Sequence, residues 1–315
     1  MVNRKFIFWV FVVTGIVSGI LWWWGSDKKE LILFHPLKVS YTVEQKKFEA
    51  EKDQSSQNRN FLSTLQDKIG KLQGTYAIYV FRLSKNKGYG INEDLIMPAA
   101  SIMKVPIMLA VRQATSEGKL TWDTKYTLKD EDKRSGSGPI EFMDAGSELT
   151  VQQLTEYMIK NSDNTASMVL SNMLGRDVID KEILLLGMEH TNFRDYTTTA
   201  FDVGLMWRKI YEMKNEDIFN LFKDSIYEDR LPAGLPDTVD VIHKVGTGDG
   251  VWVDAGIVMP QILNPPVGRA GPKSQVPNIE PLVIVILNKG VDASESAKMV
   301  PTLTKEIWEY ETQSK

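Results

Sequence analysis

Three short strings follow one another along the chain: Ser101-Ile102-Met103-Lys104, Ser162-Asp163-Asn164 and Lys244-Val245-Gly246. A serine hydroxyl is a poor nucleophile at neutral pH and needs a base within hydrogen-bond reach. A lysine buried beside other donors gives up its proton more readily than one in water. In a helix, residues three apart share one face, so Lys104 is placed to be that base for Ser101. Ser162 can relay a proton, the Asn164 amide can hold a substrate carbonyl, and Lys244 offers positive charge to a substrate carboxylate. Together the strings supply the parts for serine acyl transfer without histidine.

The first string is cheap, because Ser-x-x-Lys also occurs at Ser26/Lys29, Ser84/Lys87 and Ser116/Lys119. What singles out Ser101 is its setting. Ala99 and Ala100 precede it, and Val105, Ile107, Met108, Leu109 and Val111 follow as a dense apolar run that reads as a buried helix. A serine opening that helix has its hydroxyl at the positive end of the peptide dipoles. Ser162-Asp163-Asn164 falls between two amphipathic patterns, Leu154 to Ile159 and Ala166 to Met173, at a helix-to-helix junction that it also suits as an N-cap. The third string lies in a β-rich run that turns at Gly248-Asp249-Gly250 and continues to Val258, the pattern of a hairpin. Gly246 has no Cβ, so another backbone can come close to that strand.

These strings need a scaffold, and the remaining pattern supplies one. A helix is expected near residues 61–72, strands at 76–83 and 88–91, mostly helices over 101–220, strands again at 240–258 and 281–288, and a last helix over 297–310. Strands at both ends enclosing a helical middle predict an α+β fold, an antiparallel sheet flanked by helices beside an all-helical subdomain, with the strings meeting in the cleft between them.

Ahead of this, Arg4 and Lys5 precede Phe6 to Trp24, a stretch without charge that as a helix spans about 28 Å and can cross a bilayer. The basic flank predicts a cytoplasmic N-terminus and an extracytoplasmic domain. Residues 1–25 are therefore expected to be a single-pass membrane anchor, with a cleavable signal peptide as the alternative. Residues 26–59 read as a polar linker and 60–315 as one domain. The net charge of −4, with no basic patch carrying interleaved aromatics, argues against nucleic acid. With no cysteine and three scattered histidines, neither a metal nor another cofactor is expected. The domain is taken as a monomer.

Several further strings fall in order with the first three: Gly90-Ile91-Asn92, Pro98-Ala99-Ala100-Ser101, Asn161 to Ala166, Thr197-Thr198-Thr199 and Asp254-Ala255-Gly256-Ile257. In this the chain resembles, over roughly residues 60 to 312, the class A β-lactamase and penicillin-binding family of active-site serine enzymes. The resemblance implies a five-stranded antiparallel sheet with an all-helical subdomain. It also implies Ser101 as acylated nucleophile, Lys104 as base, Ser162 as proton relay, Asn164 as ligand of the substrate amide and Lys244 as carboxylate anchor beside Gly246 and Thr247. The oxyanion hole would be the N–H groups of Ser101 and Thr247. Substrates so implied are β-lactams or D-alanyl-D-alanine-type stem peptides of peptidoglycan.

Two departures qualify the match. Only residues 165–196 fill the interval that in class A enzymes carries the deacylating glutamate, about fifteen fewer than usual. Glu182 and Glu189 lie in that interval but read as solvated, and Met168 stands where an asparagine usually braces the loop. Val245 replaces a hydroxyl residue, a loss that Thr247, on the same face of the strand, is placed to restore. Acylation with slow deacylation is the expectation. A D,D-peptidase with little β-lactamase turnover, or a non-catalytic wall- or partner-binding protein on the same scaffold, are the alternatives.

Overall fold

A computed structural model of the protein describes residues 51–53, 55–223, 225–260 and 280–313. The expected anchor and most of the linker lie outside these residues. Among the described residues no helix is long and apolar enough to cross a membrane.

Five long strands, β1 (Thr75–Arg82), β2 (Lys87–Ile91), β3 (Val239–Gly248), β4 (Val251–Pro260) and β5 (Leu282–Lys289), form an antiparallel sheet in the order β2-β1-β5-β4-β3. The central pair β1 and β5 is covered on both faces, and the period of two divides its side chains between two cores. Tyr76, Ile78, Val80, Ile284 and Ile286 face helices α1 (Ser56–Ile69) and α8 (Ala293–Gln313), meeting Leu65, Val300, Leu303 and Ile307. Ala77, Tyr79, Phe81, Val283, Val285 and Leu287 face the helical middle of the chain.

That middle contains α2 (Lys104–Ser116), α3 (Val151–Lys160), α4 (Asn164–Leu174), α5 (Arg176–Leu185), α6 (Ala200–Met213) and α7 (Glu216–Phe222). Every residue of α2 from Lys104 to Val111 is buried, which accounts for its unbroken apolar run. Its N-terminus, not its middle, meets β3.

The linker ends earlier than its polar composition predicts. Glu51–Lys52 pairs in parallel with Lys87 and Gly88 of β2, and Ser55 caps α1 by accepting the Asn58 N–H at 3.3 Å. Polar residues are retained there because Arg82 forms a two-pronged pair with Glu311, both bonds 2.8 Å, and also donates to Asp53. The helix thus starts at a cap six residues before Phe61, its first large apolar side chain.

Candidate active site

Ser101 lies in a single 3-10 turn, Ala100–Met103, that runs directly into α2. The expected position at the mouth of the helix holds, one turn further out than a regular helix start. Ala100 has φ +46°, a conformation that non-glycine residues seldom adopt. Such strain is kept where surrounding contacts over-determine it. One of those contacts is β3: a Cβ on Gly246 would stand 2.9 Å from Ala100 Cβ, 2.8 Å from Val253 Cγ2 and 3.1 Å from the Ser101 nitrogen. Gly246 therefore lets the sheet edge come up to the Ser101 N–H. Gly246→Ala is expected to push the two apart and slow acylation by a penicillin by about tenfold or more, because small misplacements are costly at a reacting centre. The rate of labelling by a fluorescent penicillin checks this.

The second string sits at the α3–α4 junction. Asp163 is the N-cap of α4: its carboxylate accepts the Ala166 N–H at 2.8 Å and, with its other oxygen, the Ile140 N–H at 2.9 Å. This carboxylate is spent on holding the junction against the 135–140 loop. The neighbours on either side face the site. Ser162, at φ +54°, and Asn164 converge on the buried Lys104 amine, which donates to the Ser162 carbonyl, to Ser162 Oγ at 3.2 Å and to Asn164 Oδ1 at 2.7 Å. Among the described residues no hydrogen bond joins that amine to Ser101. The Asn164 Nδ2 donates to the Ser135 carbonyl at 2.8 Å.

Lys244 brings the third string to the same point, its Nζ donating to Ser162 Oγ at 3.0 Å. The Ser162 oxygen thus receives two amines, which leaves its own O–H free to donate into the groove. Burial lowers the Lys104 amine to about 7, against the opposing pull of Asp163. Burial, and then repulsion from Lys104, hold Lys244 well below its ordinary value. A base poised near neutrality is what nucleophile activation requires.

Thr247 is exposed, and its hydroxyl accepts from Arg230, a residue that sequence reasoning missed. The Arg230 guanidinium also donates to the Gly246 and Val253 carbonyls, both at 2.6 Å, and lies 4.0 Å from the Trp252 ring centre. It is 1% exposed. A carboxylate arriving at Thr247 would meet a hydroxyl backed by this cation. Lys244, expected as the anchor, is buried behind it on Ser162. Behind both cations lies Asp254, whose two oxygens accept His243 Nδ1 at 3.0 and 2.9 Å, the Leu231 N–H at 3.0 Å and the Ala255 N–H at 2.8 Å. The Tyr227 ring centre lies 6.0 Å from Lys244 Nζ, and its hydroxyl is 3.2 Å from Ser137 Oγ.

Glu182, read as solvated, is instead largely enclosed. Burial raises its carboxyl to about 7 although Arg112 pulls it down, with Glu117 beside it. Arg112 lies eleven residues past Ser101, a helical rise of roughly 16 Å, so this acid is at the far end of α2 from Ser101. Glu189 is exposed in the turn after α5. Neither carboxylate joins the site residues.

The Beta-lactamase enzyme family matches residues 60–265. Beta-lactamase VEB-1 from Pseudomonas aeruginosa is 24% identical over 219 residues, 61% of this chain and 73% of that protein. D-alanyl-D-alanine carboxypeptidase DacF from Bacillus subtilis (strain 168) is 23% identical over 157 residues, covering 45% of this chain and 39% of its own length. A solved structure of a PBP-A mutant, an acyl-enzyme complex with penicillin G, superposes with a TM-score of 0.69 at 21% identity, covering 80% of this chain and 96% of that one. The fold and the matched region together identify the chain as a member of the β-lactamase enzyme family.

Proposed function

We propose that the protein is an active-site serine acyl-transfer enzyme that is acylated at Ser101 by β-lactams or D-alanyl-D-alanine-type peptides and releases the acyl group slowly. In this reading neutral Lys104 takes the Ser101 proton as Oγ attacks the substrate carbonyl. The tetrahedral oxyanion is received by the N–H groups of Ser101 and Thr247. The Ser162 hydroxyl then protonates the departing nitrogen as the C–N bond breaks, leaving an ester on Ser101. Asn164 holds the substrate amide, and Thr247 with Arg230 and Lys244 holds its carboxylate.

One observation carries the slow release: Asp163 is bound to two backbone N–H groups, and Glu182 lies at the other end of α2. With neither of these carboxylates at the ester, hydrolysis forgoes the ~10²–10⁴-fold that a positioned base contributes. The likeness to a D-alanyl-D-alanine carboxypeptidase favours a wall peptide as the natural substrate. Residues 6–24 suit this as an anchor holding the domain outside the cell membrane.

Intact-protein mass spectrometry after incubation with penicillin G tests the reading. The expected result is an adduct of one penicillin mass that outlasts removal of free drug and is absent from Ser101→Ala. Rapid turnover with no adduct overturns slow release, and no reaction at all overturns the enzyme.

A further inference from the structure

We propose that Tyr196 is the wall that keeps water from the ester on Ser101 and so sets how long an acyl group stays on the protein, an inference that rests on the acyl-enzyme reading above. Thr197–Thr198 pairs antiparallel with Met97–Pro98, Thr197 opposite Pro98. The register runs one step further, with the Ala99 N–H donating to the Tyr196 carbonyl at 2.8 Å. Tyr196 is thus opposite Ala99, two residues before the nucleophile. Its phenol lies beside the Ser167 side chain. Ser167 is one turn beyond Asn164 on α4, so it shares the face whose Asn164 holds the Lys104 amine. The ring therefore reaches from the turn bearing Ser101 toward the helix bearing Asn164.

The backbone is built to present this ring. Tyr196 has φ +51°, an outlier for a bulky side chain. The loop that imposes it is tied at its base, where Asn192 and Thr197 exchange backbone hydrogen bonds of 2.9 and 3.2 Å. The Asn192 side chain also accepts the N–H groups of Arg194 and Asp195 at 2.9 and 3.1 Å. The Phe193 ring packs 5.7 Å from that of Tyr196. Residues 192–197 are thereby closed into a clip, on which Tyr196 is 43% exposed. A phenol is protonated at neutral pH in any case, and partial burial raises it further, so it supplies no base for water. What the ring can do to a hydrolytic water is exclude it.

The test labels full-length protein with a fluorescent penicillin, chases with unlabelled drug and follows both label gain and label loss. Tyr196→Gly removes the ring while suiting the left-handed backbone. It is expected to acylate within about threefold of wild type and to lose label at least tenfold faster, a change confined to the step in which water enters. Tyr196→Phe keeps the ring and is expected to hold label within about threefold of wild type. Should Tyr196→Gly not melt cooperatively, Tyr196→Asn, which also tolerates positive φ, carries the same expectation. A ring-deleted variant that holds label as long as wild type overturns the proposal, as does a Phe variant that loses it as fast as Gly. A wild type that never labels defeats the acyl-enzyme reading itself, and this inference with it.

Discussion

Replacing Lys104 by Met is expected to slow acylation of Ser101 about 10³-fold, the middle of what a positioned general base contributes. In the wild type the rate should climb with pH through about 7, because burial has brought the Lys104 amine there and only the neutral amine can take a proton. Below that pH all its protons are committed to Ser162 and Asn164. Above it one position on the nitrogen becomes a lone pair, and Ser101 is one helical turn away. Lys104→Arg should lose as much as Met, since a guanidinium retains charge and donors but does not deprotonate. This comparison separates a base from a structural cation. Stopped-flow labelling between pH 5.5 and 8.5 checks both, reading from about one and a half units either side of the titration. A flat wild-type profile, or a Met variant that acylates normally, assigns the base elsewhere. The remaining amine is Lys244, held 3.0 Å from Ser162 Oγ and freed from the repulsion of Lys104 in that variant.

Parts of this molecule held in place by local pattern were legible in the sequence, and parts joined by long-range register were not. β1 and β5 are runs of apolar and aromatic residues because both faces are covered. α2 announces itself because nearly every side is buried, and the Gly248-Asp249-Gly250 turn marks its own hairpin. The structure joins Lys104, Ser162, Asn164 and Lys244, widely separated in sequence, through hydrogen bonds centred on Ser162 and Lys104. Arg230 carries no such mark, for it sits between elements and acts through strands 16 to 23 residues later. Tyr196 likewise takes its meaning from pairing with Ala99 and from Ser167, neither of them near it in the chain. Glu182 was misread because helix periodicity indicates a face and not what packs against it. His243 stands in the sequence as one of three scattered histidines without ligand spacing. A sharper signal was present, since Asp254 is a charge within the apolar strand Val251–Pro260, where Asp is disfavoured. The hairpin register sets Val245 opposite Asp254 and Gly256 opposite His243, so the two charged residues are diagonal neighbours.

That diagonal pair underlies the second large effect. Asp254→Asn is expected to cost about 3–5 kcal/mol of stability, the range for removing one partner of a buried ion pair. Asp254 is fully buried and faces His243, Arg230 and Lys244, with Glu228 the other carboxylate near the imidazole at 3.6 Å. An asparagine has one acceptor oxygen where two now serve Leu231, Ala255 and His243. The pH dependence gives the sign. Burial alone would lower His243, but Asp254 and then Glu228 outweigh it and raise the imidazole to about 9. A raised histidine stabilises most where the unfolded chain is also protonated, below about pH 6.5, and that stability is lost as pH rises through about 9, roughly 3 kcal/mol in all. In Asp254→Asn burial prevails, so His243 should become harder to protonate and stability should instead fall as pH drops below about 6.5. Urea midpoints at pH 6, 7.5 and 9 distinguish the two slopes, which loss of packing alone would leave parallel. The same substitution frees the Leu231 N–H, and with it the backbone that aims Arg230 at Thr247. Acylation by a penicillin should then fall more than acylation by its carboxylate ester, because only the former uses that cation. Equal losses for the two substrates would mean that Asp254 holds the fold and has no part in aiming Arg230.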